Sequence, residues 1–117
     1  LLARLAEAAS RHGGAVPGIP VPDTIVQLSG QRGGQAAVRY LERDSLRAVQ
    51  TPQVFRWEPF FAAHRDCHDK NEAFTDDGGL LAAAGLPPVV VMGEIENWKV
   101  TTEADLVRAG DLLCGRS

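Results

Sequence analysis

Residues 88–93, Pro88-Val89-Val90-Val91-Met92-Gly93, lead through Glu94-Ile95-Glu96-Asn97 into Trp98-Lys99-Val100-Thr101-Thr102, and this stretch decides the fold. An apolar run without polar alternation reads as a buried parallel strand. Gly93 to Asn97 follows as a loop, and Trp98–Val100 is a short extended piece. Thr102 then caps a last helix running to Leu113, with Asp105 completing a capping-box pattern. Upstream, Thr75 is the expected N-cap of a helix through Ala84. Asp76 and Asp77 fall in its electropositive first turn, and Gly85 ends it. Helix and strand signals alternate across this half, which points to an α/β domain.

Further out the pattern loosens. Phe55 to His68 predicts a helix. Thr51-Pro52-Gln53 punctuates the chain, because Pro52 holds Thr51 extended. Leu46 to Gln50 is a short strand, and Arg43-Asp44-Ser45 a turn. Asp23–Leu28 and Ala36–Glu42 read as a hairpin around a Gly-rich tip, Ser29 to Gln35. Pro17, Pro20 and Pro22 argue that Ala15 to Leu28 is no central strand but an edge or an extended arm. Leu1, Leu2, Leu5, Ala8 and Ala9 recur at helical spacing, with Gly13-Gly14 as the stop. The chain opens without Met inside that helix, so a piece of something longer is expected.

The 117 residues carry 12 Lys+Arg against 15 Asp+Glu, a net charge of −3, with 44% hydrophobic and 23% charged residues. That is the composition of a globular domain. The mild acidity argues against a general nucleic-acid or anionic-membrane binder, whose footprint is basic. No apolar run approaches the ~20 residues that span a bilayer. No leader pattern is visible. Cys67 and Cys114 are too few for a disulfide framework, so a reducing, cytoplasmic compartment is expected.

Taken one by one, the polar candidates leave two readings each. Lys99, between a strand and a helix start, suits an anion that also meets free backbone N–H groups, or is simply solvated. Thr75-Asp76-Asp77 suits phosphate or a metal, or is plain capping. Arg43 offers the permanently charged fork that grips phosphate, or is a surface arginine between Glu42 and Asp44. His64, Cys67 and His68 share a helix face, yet a structural zinc site needs a fourth ligand and none is near in sequence. No metal ligand is therefore assigned.

Together the segments resemble a known family. Pro20-Val21-Pro22-Asp23-Thr24-Ile25 is similar to its PV-x-DT element. Arg43-Asp44-Ser45-Leu46 with Gln50-Thr51-Pro52-Gln53-Val54-Phe55 resembles R-x-x-L…QTPQ-x-F. Phe74-Thr75-Asp76-Asp77 resembles its TDD helix start. Gly93 with Asn97-Trp98-Lys99-Val100-Thr101-Thr102 and Asp105-Leu106 resembles its G-x-x-x-N-x-K-x-T-x-x-D-L ending. Order and intervals suit the 2-C-methyl-D-erythritol 4-phosphate cytidylyltransferases of the non-mevalonate isoprenoid pathway.

The resemblance covers the C-terminal half of that family. It implies part of a three-layer α/β/α, Rossmann-like nucleotide-diphospho-sugar-transferase domain. All of residues 1–117 would belong to it, with about 17–50 forming a β-arm that embraces a second copy in a homodimer. The implied reaction joins CTP and methylerythritol phosphate into CDP-methylerythritol, releasing pyrophosphate with Mg²⁺. Lys99 and Arg43 would be the catalytic cations, Arg43 acting from the partner's arm. Thr24, Thr51 and Thr75 would bind the sugar phosphate. Mg²⁺ would be held by the CTP phosphates and by the family's other half, so this half alone is expected to be inactive. A ribitol 5-phosphate cytidylyltransferase, a non-catalytic dimerisation module of the same fold, and a version fused to a cyclase domain remain alternatives. Two departures stand out: Trp98 where the family has a smaller aliphatic residue, and Gly78-Gly79, which predicts a loose first helical turn.

Overall fold

In a computed structural model of the chain, the described residues are 1–29, 36–70 and 72–115. Helix α1 (Leu2–His12) ends at Gly13, whose φ of 93° is the left-handed conformation that glycine adopts freely. Strand β1 (Gly14–Pro20) follows, then β2 (Val26–Leu28) and β3 (Ala37–Tyr40). A 3₁₀ turn at Arg43–Ser45 leads to β4 (Arg47–Val49) and β5 (Val54–Phe55). Helices α2 (Trp57–Lys70) and α3 (Asp77–Ala83), strand β6 (Val89–Met92) and helix α4 (Glu103–Leu113) complete the order.

The proline-rich strand β1 is central, which corrects the edge-or-arm expectation. It pairs antiparallel with β4 and β5 on one side and parallel with β6 on the other. Its prolines are tolerated because of where they fall. Gln50 N donates to Pro17 O at 2.8 Å, so Pro17 turns toward the break between β4 and β5, where a missing N–H costs little. Pro20 is the last residue of the strand, beyond the end of β6. Residues 17–50, expected as an arm, divide between the main sheet and a separate ribbon. Pro17–Pro20 and Arg47–Val49 lie in the main sheet, and only β2 and β3 form a separate two-stranded ribbon. Its register shifts between Gln27 and Leu28, and residues 30–35 of the expected tip lie outside the described residues.

Side chains alternate across β1, and helices cover both faces of the sheet. Leu5 and Ala9 of α1 meet Ala15, with Val54, Val89 and Val91 packed around them. On the other face Ala63 of α2 packs on Leu80 and Leu81 of α3, flanked by Phe55 and Phe60. Buried Gly78 lets α3 lie against the sheet: a Cβ there would stand 3.2 Å from Val16 Cγ1 and 3.4 Å from Gln53 Oε1. Gly78 thus serves close packing, a role that helix propensity alone does not show. Strand β6 is parallel as expected, yet only Val89 and Val91 are covered; Val90 and Met92 are exposed. Helix α4 buries no residue among those described. Its Thr102–Asp105 capping box is present as expected.

Candidate active site

The turn between β4 and β5 is built from Gln50-Thr51-Pro52-Gln53, with a cis peptide before Pro52. Its two glutamines reach in opposite directions. Gln50 Nε2 donates to Glu94 O at 2.8 Å, and Glu94 N donates to Gln50 Oε1 at 3.2 Å. Gln53 Nε2 donates to Asp76 Oδ2 at 2.9 Å, and Gly78 N donates to Gln53 Oε1 at 3.2 Å. Each carboxamide uses both its donor and its acceptor. One turn therefore ties together the loop after β6 and the start of α3. Neither glutamine was singled out from sequence as a candidate. Their signal in the sequence is the QTPQ-x-F likeness, which gives them no role by itself.

Asp76, not Thr75, caps α3. Its side chain accepts from Gly79 N at 2.8 Å. A Cβ at position 79 would stand 3.0 Å from Asp76 Oδ1, so Gly79 clears the space for this cap. Thr75 is left exposed, one residue before the cap. Asp77 meets His64 instead, with His64 Nε2 2.9 Å from its Oδ1. Cys67 Sγ donates to Glu72 O at 3.0 Å. The helix-face trio His64, Cys67 and His68 is thus turned to separate local partners in two of its three members.

The threonines and the lysine converge on two adjoining cavities. One, of about 330 Å³, is lined by Gln50, Thr51, Gln53, Asp76, Asn97 and Lys99 among others. The second, of about 570 Å³, shares Thr51, Gln53 and Asp76 with the first and adds Thr75. Asn97 Nδ2 donates to Thr51 O at 2.6 Å and closes the wall between turn and loop. Among the described residues no carboxylate lies within ion-pair distance of Lys99. An exposed ammonium beside a threonine and without a carboxylate partner is a surface that can meet a phosphate.

Arg43 and Thr24 line neither cavity. Both are exposed, and Arg43 Nη1 donates to Pro22 O at 2.8 Å across the foot of the ribbon. Within one chain the structure places Thr51 with Lys99 in one cavity and with Thr75 in the other, and leaves Arg43 and Thr24 beside the ribbon. Nor do the residues present fit a Mg²⁺ cage, which is assembled from carboxylate and phosphate oxygens. Both Asp76 oxygens are engaged within the protein, and no three His, Cys, Asp or Glu side chains gather among the described residues.

Helix α4 presents Arg108 over Trp98, its guanidinium carbon 4.3 Å from the ring centre. This gives the unusual Trp98 a partner one residue before Lys99. Asp105 accepts from Thr101 N at 3.1 Å, Thr102 N at 3.0 Å and Thr101 Oγ1 at 3.2 Å. Donation from the Thr101 backbone, then from Thr102, holds its carboxyl below the ordinary value of 3.8.

Comparison with known proteins gives the family and the fold. The family model described as 2-C-methyl-D-erythritol 4-phosphate cytidylyltransferase matches residues 1–114. A relative of that name from Pelotomaculum thermopropionicum is 40% identical over 110 residues, covering 94% of this chain and 45% of its own. A "Bifunctional enzyme IspD/IspF" from Rhodopseudomonas palustris is 41% identical over 109 residues, 92% of this chain and 27% of its own. The crystal structure of the cytidylyltransferase from Thermus thermophilus superposes with a TM-score of 0.80 at 41% identity, covering 96% of this chain and 53% of that one. The chain spans about half the length of the monofunctional relatives it matches. A sheet covered by helices on both faces, the glutamine-bracketed turn and a family match running from residue 1 to residue 114 lead to one assignment: the chain belongs to the 2-C-methyl-D-erythritol 4-phosphate cytidylyltransferase family.

Proposed function

We propose that the intact protein transfers a cytidylyl group from CTP to 2-C-methyl-D-erythritol 4-phosphate, giving CDP-methylerythritol and pyrophosphate in non-mevalonate isoprenoid biosynthesis. The substrate phosphate attacks the α-phosphorus of CTP and pyrophosphate leaves. Two anions must be held together while charge builds between them, so positioning and electrostatics carry the catalysis. The observation that supports this reading is the shared cavity wall on which Lys99 and Thr51 meet, beside Thr75 at the start of α3. Lys99 would neutralise the reacting phosphates, and Thr51 and Thr75 would donate to the polyol phosphate.

Arg43 and Thr24, at the foot of the ribbon, would act on the cavities of a second copy. A homodimer through β2 and β3 supplies the reason for a ribbon whose Leu28, Val38 and Tyr40 are exposed. Mg²⁺ is left to the CTP phosphates and to residues outside this chain, and the cytoplasm is the proposed compartment. Among the described residues no helix is long and apolar enough to cross a membrane.

The test is pyrophosphate release by the full-length protein with CTP and each polyol phosphate. Turnover with methylerythritol phosphate is the expected result. Turnover with ribitol 5-phosphate alone would replace the substrate. Failure to bind CTP at millimolar concentration would leave a dimerisation module.

A further inference from the structure

Lys99 lies two residues beyond a loop that makes no strand of its own, yet the loop is held at several points. Gly93 N donates to Gly18 O at 2.9 Å. Arg4 Nη1 of α1 donates to Met92 O at 2.9 Å, and its Nη2 stands 3.6 Å from Glu94 Oε1. Asn97 Nδ2 donates to Thr51 O. The most specific contact is the Gln50 carboxamide, which meets both the N–H and the C=O of Glu94 as a backbone strand would. Gln50 is itself anchored, since its own N–H donates to Pro17 O in the central strand. Gly93 makes room for this approach, because a Cβ there would collide with Gln50 Oε1 and stand 3.2 Å from Ile19 Cγ2.

We infer that Gln50 is a positioning residue for Lys99. It transmits the rigidity of β1 to the loop, so that the lysine is presented at a fixed depth along the cavity wall. The inference rests on the cytidylyltransferase reading for its kinetic consequence, but the bracket itself does not. The argument is geometric: the contact spans 44 residues of sequence and addresses only backbone atoms of the loop. No other side chain among the described residues makes a two-point contact with that segment's backbone. A preorganised cation loses most of its catalytic value when its support is slack, since displacement by about 1 Å costs on the order of 10²-fold in rate.

The experiment uses full-length protein carrying Gln50→Glu, Lys99→Ala or both. Gln50→Glu keeps shape but removes the donor and sets a carboxylate against Glu94 O. We expect kcat to fall by up to about 10²-fold, with no further loss when Lys99 is already alanine. A kcat near that of the unmodified protein, or losses that multiply in full in the double variant, overturns the inference. Hydrogen exchange across residues 93–99 reads the bracket without turnover: Gln50→Glu should speed it, and unchanged exchange overturns the inference. Speeded exchange in a protein that turns over no CTP would support the bracket and count against the catalytic reading alone. If the Gln50 variants do not fold, Gly93→Ala tests the bracket from the loop side, because its Cβ would displace Gln50 Oε1, and should show the same coupling to Lys99; full additivity there overturns the inference.

Discussion

Gln53 holds Asp76 from the turn between β4 and β5, its Nε2 2.9 Å from Asp76 Oδ2, while the other carboxylate oxygen caps α3 through Gly79 N. A carboxylate at a helix N-terminus is stabilised by the orphan N–H groups there. Here it is also fixed in direction by a neighbour on another element. Gln53→Ala removes that donor and the acceptor for Gly78 N. Intact protein carrying it should lose about 1–3 kcal/mol of stability, since one lost bond is to a charged group. Denaturant unfolding measures this. Gln53→Glu should be worse than alanine, because it sets a second carboxylate against Asp76.

Lys99→Ala in the full-length protein should lower pyrophosphate release from CTP by roughly 10²–10³-fold, the usual effect of removing one preorganised stabiliser of transition-state charge. Thermal unfolding should barely move, because the lysine is exposed and makes no ion pair among the described residues. Steady-state kinetics beside a melting curve separates the two effects.

Acid should loosen the start of α4. In the folded state Asp105 binds its proton less readily than a free carboxylate, because Thr101 and Thr102 donate to it. Folding therefore favours the ionised form. That contribution is complete above the ordinary carboxylate value of 3.8 and is lost as pH falls through the lowered one. Asp105→Asn should flatten this part of the stability–pH curve. A carboxyl titration followed by NMR gives the direction directly, and a value above that of an unfolded control would contradict it. Thr102→Ala, which removes the reciprocal cap, should cost about 1 kcal/mol.

Val38→Asp tests the ribbon. Val38 is 58% exposed in the single chain, and a dimer interface there would leave the new carboxylate without water. Burying an unpaired charge is costly, so self-association of the full-length protein should weaken at least ~10-fold. Sedimentation against concentration reads this, and an unaltered dimer would place the interface elsewhere.

Leu5→Ala should cost about 2–5 kcal/mol in the intact protein, as for other large-to-small core changes. Leu5 is fully buried against Ala9 and Ala15, under Val54, Val89 and Val91. Chemical denaturation monitored by far-UV circular dichroism provides the check.

Much of this was legible from residues 75–113. Glycine stops, an apolar strand and a capping box obey local rules, and those rules survive in the folded chain at Gly85, Val89–Met92 and Thr102. The placement of β1 was not, because proline carries a one-dimensional signal against strands, whereas its tolerance depends on which neighbour faces the absent N–H. The cap sits at Asp76 rather than Thr75, where Gly79 leaves the carboxylate room beside the backbone N–H that it accepts from. Position alone leaves Lys99 and Thr75 with two readings each, and what places Thr51 between them is the pair of Gln50 and Gln53 contacts, which join residues 44 and 23 positions apart. Such pairings leave no periodic trace in a single sequence.

Pro17 has one more consequence. A strand in the middle of a sheet can slide along its neighbours by two residues and keep the same side chains inward. With an imide at Pro17, any such slide would carry that residue's missing donor away from the gap between β4 and β5 and set it against a carbonyl that needs a proton. The proline thus acts as a key in a lock, admitting a single alignment of the strands and with it a single setting of the turn that carries both glutamines.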